Sequence, residues 1–275
     1  LAGAQAKTRI DAKGLVVAPG FIDLLGQSEF NVLVDNRAAS KITHGITTEI
    51  TGEGGSIAPA NDRLIADRKP AYDHYGVVHD WRTLDEYFGR LERSKVPLNV
   101  GTLLGSGGLR DYVTGKENRP ATAAELDEMK KLVAQAMEQG ALGVSSSLQY
   151  VPNRFASTDE LVELAKVAAS HGGIYITHQR SEGNNIFESL DEVFTIAERA
   201  DIPAEIWHLK TAYKANWGKM PEVLRRIEAA RARGLRHDRV RHRVGRLRIG
   251  PEVRRELRDR LLKRDRIDRV LEIEA

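Results

Sequence analysis

From about residue 16 to residue 235, short apolar runs alternate with segments of helical period, the pattern of repeated βα units around a parallel sheet. Six runs have strand character: GFIDLL (20–25), TTEIT (47–51), LNVGTLL (98–104), ALGVSSS (141–147), GIYITH (173–178) and AEIWHL (204–209). Apart from TTEIT each is mostly apolar, as strands covered on both faces are. Six parallel strands predict a barrel or a doubly wound sheet. The helices between them carry their own punctuation. Thr122 with Glu125, and Ser157 with Glu160, have the spacing of capping boxes. Gly140, Gly172 and Gly234 stand where left-handed C-caps are wanted, and Pro221 suits a first helical turn. Between residues 52 and 97 the pattern is poorer. The stretch RKPAYDHYGVVHDWRTLDEYFGRLERSK reads as a long polar, aromatic-bearing excursion before the third strand, of the kind that forms substrate-binding loops.

This organisation places two histidines alike. His178 ends GIYITH and His208 falls near the end of AEIWHL, 30 residues on, which is one βα repeat. Both then project from the C-terminal rim of the sheet, where side chains on strand ends build sites. One such histidine reads first as a hydrogen-bonding strand cap. Two at one repeat spacing point to a shared divalent ion, with further ligands from other strands.

Composition narrows the chemistry. The 275 residues are 41% hydrophobic, ample for one sizeable core. There is no cysteine, so disulfides and thiolate ligands are excluded and any metal rests on His, Asp or Glu. No run of 18 apolar residues exists, which argues against a membrane span. The N-terminus has neither an initiator Met nor a signal-like apolar region, so the sequence reads as one that starts mid-protein. The net charge of +3 conceals an asymmetry: residues 236–275 hold 13 Arg and one Lys against eight carboxylates, a balance of +6, and no aromatic residue follows Trp217.

Several stretches, GALGVSSSLQY, GGIYITHQRSEG, PAEIWHLKTA and NWGKMPEVLRRIEAARARGL, resemble the N-acyl-D-amino-acid deacylase (D-aminoacylase) branch of the amidohydrolase superfamily. IDAKGLVVAPGFID resembles the superfamily's passage from its small β-sandwich into the first barrel strand, and the likeness runs in order over residues 8–235. The resemblance implies a metal-dependent (β/α)8 barrel, here incomplete with about six βα units. Residues 1–17 would be a remnant of the sandwich, 18–235 the partial barrel, and 236–275 an Arg-rich tail foreign to the fold. It implies zinc as cofactor, hydrolysis of an amide, and a small-molecule substrate, an N-acyl-D-amino acid or a related amide. Carried over by motif, His178 and His208 match the ligand histidines of strands five and six. Lys210 matches the lysine of HLK, where a cation can pair with the substrate carboxylate or simply lie solvated on the rim. Tyr150 matches an aromatic position near the acyl group.

Two departures stand out. The superfamily's first strand ends in His-x-His, and Leu25-Gly26-Gln27 stand there instead; Leu ligates nothing and Gln is a poor ligand. At the second strand end, where D-aminoacylases carry a cysteine ligand, the chain offers Glu53 between Gly52, Gly54 and Gly55, either a replacement ligand or an exposed turn residue. Either one metal is held by Glu53, His178 and His208, or the barrel is non-catalytic; the intact fifth and sixth motifs favour the metal. Gln27 or Glu29 is placed to contact substrate or water. The family's Asp base has no counterpart, so no catalytic base is assigned and this chain is expected to be inactive. In the tail, loss of aromatics with a surge of Arg predicts a frameshift near residue 235. The rival reading, a basic arm for nucleic acid, is opposed by its mixed charges, which suit a solvated helix.

Overall fold

A computed structural model describes residues 13–235. Most of the expected sandwich remnant and the whole Arg-rich tail, with the frameshift and nucleic-acid readings attached to it, lie outside the described residues. The chain forms β1 (Phe21–Asp23), α1 (Asn31–Val34), α2 (Ala39–Ile42), β2 (Ile46–Thr51), α3 (Asp62–His74), α4 (Leu84–Arg93), β3 (Asn99–Thr102), β4 (Leu104–Gly105), α5 (Ser106–Thr114), α6 (Ala123–Glu138), β5 (Gly143–Ser147), α7 (Thr158–Ser170), β6 (Ile174–His178), α8 (Ile186–Ala200), β7 (Ala204–Ile206) and α9 (Met220–Ala232). Every pairing is parallel and follows chain order, β1-β2-β3 in one sheet and β4-β5-β6-β7 in the other. This is the α/β order that the apolar runs predict, and it is consistent with part of a barrel.

The expected third strand is divided. Residues up to Thr102 pair with β2, those from Leu104 pair with β5, and Leu103 between them donates its N–H to the Thr51 carbonyl at 2.9 Å. The strand is one extended segment that changes partner. Leu103, Ile176 and Trp207 fill the concave side with Leu25, Ile50, Leu142 and Ile174 against them. The Trp207 indole N–H reaches the Leu24 carbonyl at 3.3 Å, tying the last strand back to the first. The helices cover the convex side, where one large core runs from Leu84 and Tyr87 through Leu161 and Leu164 to Ile202. Beside the outer edge of β1, Phe21, Ile22 and Leu24 remain exposed.

The helix signals hold with one change. Thr122 and Glu125 close a full capping box. Ser157 accepts from the Glu160 N–H, but the Glu160 carboxylate turns inward to the buried Arg110 guanidinium, 2.5 Å away, and leaves the second half of its box unmade. A buried guanidinium without a partner costs more than a cap contributes. Gly140, Gly172 and Gly234 have positive φ, and Pro221 lies in the first turn of α9.

The excursion of residues 52–97 is not mainly loop. It folds as α3 and α4, the first capped by Asn61 and the second by a Thr83–Glu86 capping box. Its aromatic residues make the packing: Tyr72, His79 and Trp81 stack in succession, with ring centroids 4.9 and 4.2 Å apart, and Phe30 lies 4.6 Å from Tyr72. Polar content hid α3, which buries only Leu64 and Tyr72, whereas α4 carries a regular apolar stripe of Leu84, Tyr87, Phe88 and Leu91.

His79 in this stack is held down to about 4 by burial, with the Arg68 guanidinium adding to the effect. Its folded pKa lies below the unfolded value of 6.5, so the neutral ring contributes stability that is complete above pH 6.5 and lost as pH falls towards 4. Urea unfolding followed between pH 7 and 5 should show a falling midpoint, and His79→Phe should flatten that fall; an equal slope in the variant would show that another group controls it.

Candidate metal centre

Glu53 is positioned by backbone that only glycine tolerates. Gly52, just past β2, has φ +95°, and a Cβ there would lie 2.1 Å from the Leu103 carbonyl oxygen. Gly54 has φ +68°, and a Cβ would lie 2.4 Å from that of Ser147. The turn is then tied on both sides. The Gly52 N–H donates to Glu29 at 2.9 Å, the Gly54 N–H to Ser145 Oγ at 3.2 Å, and the Gly54 carbonyl accepts from Gly108 at 3.1 Å. Between these anchors the Glu53 carboxylate points across the strand ends.

Both histidines meet it there. His178, the last residue of β6, brings Nδ1 to 3.0 Å from Glu53 Oε1, and His208 brings Nε2 to 3.2 Å from the same oxygen. Their rings lie 4.5 Å apart and nearly perpendicular. β7 is shorter than the expected strand and stops at Ile206, so His208 lies beyond it, with φ +38°. That left-handed turn sends Trp207 into the concave core and His208 out over the rim; strained backbone of this kind is common where a side chain must be aimed. Glu53 Oε2 accepts from Gln27 Nε2 at 2.5 Å. Burial pushes the Glu53 carboxyl up, but the donors His178, His208 and Gln27 together outweigh it and hold the group below its usual value.

Oxygen and nitrogen donors from Glu53, His178 and His208 all lie within 4.8 Å of one another. A tetrahedral zinc with bonds of roughly 2.0–2.1 Å spaces its ligand atoms about 3.3 Å apart, so the carboxylate and the two imidazoles fit such an ion with small adjustments. The three open onto a cavity of about 560 Å³ that Gln27, Ser147 and Tyr150 also line. From the excursion Ser56 and Arg68 face it, and from α5 Gly107 and Gly108. Part of the excursion thus reaches the site, although as helix and anchored turn.

The remaining expectations divide. Tyr150 lines the cavity with its ring edge against His178, centroids 5.2 Å apart. Lys210 does not line it. Its ammonium donates to Glu182 and lies 2.9 Å from His208 Nδ1, on the side of the ring away from Glu53. Leu25 packs into the concave core, and Gln27 holds Glu53. Glu29 faces the Gly52 N–H rather than the cavity, and burial raises its carboxyl. Glu182 was given no role by sequence reasoning; its signal was its place four residues after His178 in HQRSEG.

No protein-family model matches the chain. A D-aminoacylase from Alcaligenes xylosoxydans xylosoxydans is 37% identical over 234 residues, 85% of this chain and 48% of the relative. A solved D-aminoacylase, studied for its binuclear metal centre with one-metal activation and second-metal attenuation, superposes with TM-score 0.75 at 33% identity over 84% of this chain and 49% of that one. An N-acyl-D-glutamate deacylase from Bordetella bronchiseptica, with zinc and a phosphonate mimic of the tetrahedral intermediate, gives 0.70 at 28% identity over 79% and 46%. The α/β fold matches that of the D-aminoacylase amidohydrolases. Within them, the chain is a homologue of the D-aminoacylases, and it spans about half the length of the relatives it matches.

The glycine frame of Glu53 is testable without any ligand. Gly54→Ala should lose at least about 1–2 kcal/mol in urea unfolding, from the left-handed backbone and the clash with Ser147. Gly55→Ala, whose Cβ would meet open space, should stay within about 0.5 kcal/mol of the parent.

Proposed function

We propose that residues 18–235 are the metal-binding part of an amidohydrolase barrel that deacylates N-acyl-D-amino acids, with one zinc ion held by Glu53, His178 and His208. The observation that carries this reading is the convergence of those three side chains, from three strand ends, on one point at the cavity floor. When bound, zinc polarises the acyl carbonyl and lowers the pKa of a water molecule. Gln27 holds the far oxygen of Glu53 and leaves Oε1 to the two histidines, so this carboxylate would help to hold the metal. Tyr150 edges the cavity beside His178 and is assigned to the acyl group. Arg68 is the cation among the cavity's lining residues, its guanidinium fixed by the Ser56 and Ile57 carbonyls at 3.0 and 2.8 Å, and it is assigned to the substrate carboxylate.

The relative solved for one-metal activation supports a single-metal site, since the loss of a first-strand His-x-His leaves no second set of donors here among the described residues. Proton transfer is another matter. The carboxylates lining the cavity are Glu53 and Asp111, the first given to the histidines and the second paired with Arg63 at 3.0 Å. Neither is free to act as base, so this chain by itself is inferred to bind metal without turning over substrate. Among the described residues no helix is long and apolar enough to cross a membrane.

Zinc titration of the full chain against a chromogenic chelator tests the reading. One equivalent is expected, and Glu53→Ala, His178→Ala and His208→Ala should each weaken it by more than the roughly 10–100-fold typical of supporting residues. Absence of stoichiometric zinc, or retention of it in all three variants, would overturn the centre; measurable deacylation by the unaltered chain would overturn the inference of inactivity.

A further inference from the structure

Glu182 is outside the ligand set, yet both ligand histidines turn their second nitrogen towards it. The residue lies in the turn after β6 and is 8% exposed. Its Oε1 is 3.2 Å from His208 Nδ1 and its Oε2 is 3.8 Å from His178 Nε2. The turn is fixed: the Glu182 carbonyl accepts from the Ala212 N–H at 2.5 Å, and the Ser181 N–H donates to Ser189 at 2.9 Å. Lys210 donates to Oε1 and supplies the counter-charge. His178 Nε2 is buried and has no hydrogen-bond partner among the described residues.

The hydrogens on the two rings explain this arrangement. Glu53 Oε1, an acceptor only, faces His178 Nδ1 and His208 Nε2, so those nitrogens carry the hydrogens when the three residues bond to one another. A cation needs a lone pair from each of the same nitrogens, and each ring must then carry its hydrogen on the opposite one. Those opposite nitrogens are the two that face Glu182. The hydrogen bond that Lys210 makes with His208 Nδ1 fits the first arrangement, and the Glu182 contact fits the second.

We infer that Glu182 is a positioning residue for the metal centre: when Glu53, His178 and His208 hold a cation, its carboxylate accepts the outer N–H of both histidines at once. Lys210 holds that carboxylate in place and acts on the centre through it. The inference rests on the proposed zinc site and deepens it. A carboxylate that receives a ligand histidine's second N–H fixes the tautomer and strengthens the ligand; here one group serves two rings from adjacent strands.

The test is zinc affinity of the full chain, by chelator competition, together with the visible spectrum of the cobalt(II)-loaded protein. Glu182→Gln keeps the size of the side chain but offers one acceptor oxygen, and should weaken zinc about 10–100-fold and shift the cobalt bands. Its urea midpoint without metal should match the parent. Adding Lys210→Met to that variant should cause no further loss, because the lysine acts through Glu182. Parent-like zinc affinity and cobalt spectrum in Glu182→Gln would overturn the inference and leave the proposed centre standing, whereas a parent chain that binds no zinc would overturn both. Should Glu182→Gln fail to fold, Glu182→Asp decides: weaker zinc with shifted bands supports the role, and parent-like behaviour removes it.

Discussion

A single carboxylate oxygen, Glu53 Oε1, draws together two imidazoles that lie 125 and 155 residues further along the chain. Three strand ends must arrive within hydrogen-bond distance of one point, and the surrounding structure provides for that. Gly52 lets the chain pass over Leu103, Gly54 lets it pass Ser147, and the divided strand β3/β4 gives both of those neighbours their places. On the far side, β6 delivers His178 in register with Ser147, and the left-handed turn at His208 reaches the same point from β7. Rigid strands fix these positions more finely than free loops would, which a metal site requires.

Charge burial sets a second constraint. Carboxylates near the rim are costly unless paired, and several of them meet a cation. Lys41 lies 2.5 Å from Asp23 and 3.5 Å from Glu49, Arg110 meets Glu160, and Lys210 meets Glu182. Glu53 differs in kind, since its partners are two imidazoles and an amide. A carboxylate paired with a lysine or arginine has little reason to bind another cation; one held by two imidazoles and an amide faces groups of which the imidazoles can themselves ligate a metal ion. That difference separates Glu53 from the acids paired with lysine or arginine.

The altered first strand is also physically coherent. Leu25 packs inward against Leu103, Ile176 and Trp207. Gln27 turns its amide to Glu53 Oε2. An apolar residue packs inward and an amide braces the carboxylate, so the end of the first strand supports Glu53.

Much of this was legible in the chain itself. Apolar runs at βα spacing marked the strands, and Gly, Pro and capping residues marked the helix ends, because such signals are local. The paired positions of His178 and His208 followed from the same periodicity, and Glu53 stood out between its glycines as a candidate ligand. Long-range competition was not legible. Nothing local shows that Glu160 leaves its cap for Arg110, that the third strand divides at Leu103, or that α3 packs through the rings of Tyr72, His79 and Trp81. Lys210 and Glu182 show the limit most plainly. By motif the lysine belongs to substrate, but its ammonium reaches a carboxylate 28 residues earlier in the chain that also faces both histidines. The sequence determined which residues could bind a cation; which of them face one another, and which stand behind, was decided by the tertiary structure, because side-chain direction depends on how strand ends from distant parts of the chain are packed together.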